Sequence, residues 1–229
     1  MIFKLLDHPV NWYPYDVRGS IELLDSYISD IEGQIDKGIA NFEANAESII
    51  VEGIHPEESP NHIQIHQGLD DHTWDLGGIF REHFPNLQRR SALITIFSFF
   101  EHELNKCCAL FQVADNHKIA LSDMSGGGIE RARTYLRKVA SLNLDPATQE
   151  WNEVKNIQSL RNLIVHADGR LIDGEGQKRT PVARYVEASP LLAGENEVYI
   201  KSGYLKYVLN SFNACFEKIH FAIKQRYEA

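Results

Sequence analysis

The chain has 229 residues, 43% of them hydrophobic and 24% charged, with a formal net charge of −9. That length and balance fit one large or two small globular domains with a core of ordinary size. The acidity argues against a surface that coats nucleic acid broadly, while leaving room for a local basic cleft.

The opening stretch MIFKLLDHPVNWYPYD has no cationic region followed by a long apolar run, which argues against a signal peptide. Residues 17–51 read as one long helix, because Ile21, Leu24, Ile28, Ile31, Ile35, Ile39 and Phe42 recur at steps of three or four. EGIHPEESPNH then breaks the pattern as a loop. HIQIH spaces His62 and His66 by four, with His55, His72 and His83 nearby. No acid or cysteine stands at a ligand spacing and Pro60 favours an extended start, so no metal site is expected. TWDLGGIFREHF reads as a short helix ended by Pro85, which can begin the next one.

Residues 86–114 form a strongly apolar helix, of the kind that lies central to a bundle or at an interface. Its longest apolar run, ALITIFSFF, stops at Glu101, short of the roughly 20 residues of a membrane span. Cys107, Cys108 and Cys215 lack CxxC spacing and read as buried thiols in a reducing cytosol, not as a disulfide framework or zinc site. A soluble cytoplasmic protein is expected. SDMSGGG is a loop, IERARTYLRKVASL a helix, and LDPATQEWNEVKNIQSLRNLIVHA another, with Asp145 as N-cap, Pro146 at the first helical position and a stop near Gly169. VARYVEASPLLAGENEVYI carries the alternation and turn residues of a β-hairpin before a last helix from about Ser202. The predicted fold is mainly α: a helical bundle with a small β-hairpin before the C-terminal helix. Residues 1–85 form an N-terminal helical extension and residues 86–229 the main domain.

The stretch SLRNLIVHADGRL places Arg161, Asn162 and His166 at the end of a core helix. Asn162 and His166 are four apart and share a face, which Ser159 joins. Arg161 lies about 140° around the axis from His166, so the two groups do not meet unless the helix end distorts or a second chain completes the site. One reading is structural: a cationic histidine suits a helix C-terminus, and Gly169 is a stop signal. Residues 129–184 hold ten Lys/Arg against seven Asp/Glu, a local +3, so the remainder carries −12. A phosphate-binding cleft is compatible with that distribution.

RNLIVH resembles the Rx4–6H motif of the HEPN superfamily (higher eukaryotes and prokaryotes nucleotide-binding domains), with a polar residue after the arginine. FSFFEHELNK is similar to that family's first core helix with its embedded acid, and the final helix fits as well; the resemblance spans residues 86–229. It implies a HEPN-like bundle acting as a homodimer, in which paired motifs form one RNA-cleaving cleft without metal or other cofactor. His166 then serves as general acid or base and Arg161 as a phosphate clamp. Asn162 bonds phosphate or ribose or orients His166, and Glu101, preferred over a solvent-facing Glu103, holds Arg161. Arg170 and Ser159 are the candidate RNA contacts. The expected products carry 2′,3′-cyclic phosphate and 5′-hydroxyl ends. The resemblance implies a toxin or anti-phage effector, with an antitoxin or regulatory protein as a further partner and no membrane. The alternative is a non-catalytic subunit of the same kind that binds nucleotides, RNA or protein.

Overall fold

The computed structural model describes residues 8–51 and 61–228. Among them the chain is mainly α, with the longer helices α1 (Arg18–Asn45), α2 (Phe84–Ala114), α3 (Gly128–Lys138), α4 (Thr148–Ala167), α5 (Thr180–Ala188) and α6 (Tyr204–Glu228). Strands β1 (Glu47–Val51), β2 (Asn61–His66) and β3 (Leu69–Asp70) form one antiparallel sheet in that order; β4 (Leu192–Ala193) and β5 (Tyr199–Ile200) form the hairpin ahead of α6. Two compact units result, one of the described residues up to Ile28 and from Ala92 onward, the other Ser29–Ser91. No helix among the described residues is long and apolar enough to cross a membrane.

In the larger unit the buried apolar residues of α2, α4 and α6 meet. Phe100 stacks on Phe212 with ring centroids 4.3 Å apart and lies 4.7 Å from Phe216, and Trp151 of α4 closes the cluster at 6.5 Å. Leu93, Ile96, Phe97, Leu104 and Phe111 of α2 are buried in the same core. These residues of α2 are thus covered by their own chain. Cys107, Cys108 and Cys215 are buried and free. Burial pushes Cys108 and Cys215 up to about 12 and Cys107 well above its ordinary value, so none supplies a thiolate near neutral pH.

The two acids of α2 exchange their expected places. Glu103 is buried, and its Oε2 accepts a hydrogen bond of 3.2 Å from the indole N–H of Trp12, ninety-one positions away; Glu101 is only half-buried. A helix apolar on nearly all sides has no solvent face for periodicity to mark, and Trp12 chooses which acid it covers. Burial raises the Glu103 carboxyl above its ordinary range, against the pull of Lys106 and Trp12. The folded state thus binds this proton more tightly than the unfolded one. That contribution is full below about pH 4.3 and is lost as pH rises through the raised folded value. Glu103→Gln keeps an acceptor for Trp12 and removes the buried charge. We expect it to melt about 2–4 °C higher at pH 7, the shift of roughly 1 kcal/mol in a chain of this size. The gap should close below pH 4. A lower melt for the variant at pH 7 contradicts this.

Two boundaries in this unit also differ from expectation. Asp145 does not cap α4; it opens a 3₁₀ turn, Asp145–Ala147, and its carbonyl accepts a 2.8 Å bond from the Thr148 hydroxyl. The first half of VARYVEASPLLAGENEVYI is helical, not strand, because Pro181 pre-sets the first turn of α5 while Ala183 and Val186, three apart, turn into the core. Within this stretch the hairpin pairs Leu192–Ala193 with Tyr199–Ile200.

The smaller unit closes over Phe42, Leu76 and Phe80, with the rings of Phe42 and Phe80 stacked at 5.0 Å. Here α1 ends at Asn45, and the β-branched run Ile49–Val51 enters β1, pairing Glu47 with Ile65 and Ile49 with Ile63. The expected helix to residue 51 is thus six residues too long, because the partner strand lies beyond the span of a local pattern. The expected loop at 52–62 lies, up to residue 60 and including His55, outside the described residues. His66 is buried edge-on to Phe80 at 4.7 Å and Phe42 at 5.3 Å. Pro85 does not stop the helix before it: a wider π-type stretch, Ile79–His83, leads into α2 and relieves the clash of the proline ring with the preceding turn.

Candidate functional site

Helix α4 is fixed along one side by Trp151, Val154, Ile157, Leu160, Leu163 and Ile164, and it ends where the expected stop stands. Asp168 takes a left-handed conformation with φ 51° and Gly169 follows at φ 75°. The Gly169 N–H donates back to the Leu163 carbonyl at 3.1 Å. This closes the last turn with residue types that accept positive φ, and it aims residues 165–168 away from the core.

The candidate residues separate into three places. Arg161 is half-buried with its guanidinium 5.6 Å over the Phe97 ring, and its Nη1 donates to Asn162 Oδ1 at 3.0 Å. It has no ion pair among the described residues, and its Nε is buried without an acceptor. Glu101 does not pair with it. The Glu101 carboxylate faces the start of α3, where a Cβ on Gly128 (φ 54°) would sit 3.1 Å from Oε1 and 3.5 Å from Gln158 Nε2. Ser159 is exposed and its hydroxyl donates to the Lys155 carbonyl at 2.9 Å, a local bond within its own helix.

His166 is exposed and lies apart from Arg161, as the turn angle of the helix requires. It lines an open groove of about 460 Å³ together with Val165, Asp168, Arg170, Asp173 and Arg179. The backbone builds this groove. Residues 169–172 run as a rib bridged on one side to Glu197 and on the other to Lys178. The Leu171 N–H donates to the Asn196 carbonyl and the Arg179 N–H to the Leu171 carbonyl, both at 2.8 Å. Asp173 is tied into its own turn, its Oδ1 accepting from the backbone N–H of Glu175 at 3.0 Å and of Gln177 at 2.8 Å. Arg170 and Arg179 are exposed, and neither has a carboxylate partner among the described residues. The chemistry present is one imidazole beside two guanidinium groups.

Arg179 is the residue the sequence did not single out. It stands nine positions after Arg170 in a polar, turn-rich stretch, and only the bridge between Ile172 and Lys178 folds it back. A second groove, of about 480 Å³, has the opposite character: Glu150, Glu153, Asn156 and Tyr207 line it. Burial and then the Glu153 carboxylate hold the Tyr207 phenol above its ordinary range. That groove repels anions. Among the described residues no group of three His, Cys, Asp or Glu side chains is placed to hold a metal ion. No protein-family model, no curated protein and no solved structure matches the chain, so the groove beside His166 stands on its own chemistry.

Proposed function

We propose that the chain is a metal-independent endoribonuclease of HEPN type, with His166 as its proton-transfer group. The observation that carries this is the exposed imidazole at the end of α4, in one groove with Arg170 and Arg179. Cleavage by the neighbouring 2′-hydroxyl needs a proton taken from that oxygen and another given to the leaving 5′-oxygen. An imidazole serves either step near neutral pH. The groove is open, and Arg161 points away from it toward Phe97, which supports completion of the cleft by a second copy. In this reading Arg161 steadies Asn162, which precedes His166 by one helical turn on the same face.

A second reading, a non-catalytic RNA- or nucleotide-binding subunit, is favoured by the same tie of Arg161 within its own chain. Cleavage separates the two. The purified chain, incubated with a mixed RNA in excess EDTA, is expected to cut it as fast as without chelator. Loss of cutting on chelation with rescue by magnesium or manganese overturns the imidazole mechanism; no cutting under either condition leaves the binding subunit.

A further inference from the structure

We propose that Arg170 and Arg179 act as a two-guanidinium clamp that holds the phosphate backbone of RNA beside His166. This rests on the reading of the groove as an RNA site. Both arginines start from fixed backbone: Arg170 lies in the rib and bridges to Glu197, and the Arg179 N–H donates to the rib's Leu171 carbonyl at 2.8 Å. Both side chains are exposed without a carboxylate partner among the described residues, although two acids share the groove. Asp173 is held by the amides of Glu175 and Gln177, and Asp168 is the left-handed residue that ends α4. Two fixed positive charges on one concave wall favour an anion between them.

The anionic group held is a phosphodiester, because two guanidinium cations line the groove and no Phe, Tyr or Trp does. Planar guanidinium forks match phosphate oxygens in pairs. The clamp therefore reads backbone charge and is indifferent to base sequence.

The test uses a fluorescent single-stranded RNA with 2′-O-methyl groups, which lacks the attacking hydroxyl and stays intact. Anisotropy titrations at several salt concentrations compare the wild-type chain with Arg170→Ala/Arg179→Ala and with Arg137→Ala/Lys138→Ala, an equal loss of charge on the exposed last turn of α3. The groove variant is expected to bind roughly tenfold or more weakly. Its salt slope should shallow by about 1.4, the share of two phosphate contacts on a single strand. The control should stay within about twofold of wild type. Arg170→Lys/Arg179→Lys keeps both charges, so its slope should match wild type while its affinity falls. Wild-type binding by the groove variant, equal losses in groove variant and control, or no binding by the wild-type chain each overturns the clamp. Ordinary RNA assayed alongside separates the two ideas. Clamp-dependent binding without any cleavage removes the nuclease reading alone, and cleavage indifferent to both arginines removes the clamp alone.

Discussion

His166→Ala should lower RNA cleavage by about 10²–10⁴-fold, the usual contribution of a positioned acid or base. His166 is the one imidazole among the groove's lining groups. The imidazole is exposed, so its removal leaves no cavity and no orphaned partner in the core. The melt should therefore shift by no more than about 1 kcal/mol, the largest share a histidine at an exposed helix C-terminus commonly holds. Cleavage is read by gel from a mixed RNA, and stability by circular dichroism on the same samples. A variant that cuts like wild type removes His166 from the chemistry; one that unfolds makes it a structural helix-end residue.

The largest effect on stability should come from Phe100→Ala. Its ring is fully buried, stacks on Phe212 at 4.3 Å and lies near Phe216 and Trp151, so truncation opens a cavity where α2, α4 and α6 meet. Buried Phe→Ala changes cost about 3–5 kcal/mol. For a chain of this length that is a fall in melting temperature of roughly 6–20 °C. Phe221→Ala, on the same helix as Phe212 but 53% exposed, should change stability by no more than about 0.5 kcal/mol. Urea unfolding of the two variants checks the contrast. Equal losses would mean that the core is not organised around Phe100.

Both the helical architecture and the end of α4 were legible because their signals are local. Apolar residues at steps of three and four marked α1, a dense apolar run marked α2, and Gly169 supplied the stop of α4. What escaped depends on partners distant in sequence. Glu103, not Glu101, is the buried acid because Trp12 donates to it. The end of α1 at Asn45 is set by pairing of β1 with β2. Arg179 joins His166 only through a bridge that closes the turn-rich stretch after α4. The angular separation of Arg161 and His166 followed from helix geometry; that Arg161 would lie over Phe97 depended on how α2 packs.

The most direct test of the RNA-cleaving groove is the chemistry of the ends it leaves. Mass spectrometry of a defined RNA, cut in excess EDTA by the wild-type chain and by His166→Ala, reads those ends. Wild type should give 2′,3′-cyclic phosphate and 5′-hydroxyl termini, and His166→Ala almost none. Termini bearing 5′-phosphate, or the same cyclic products from both proteins at the same rate, would contradict it.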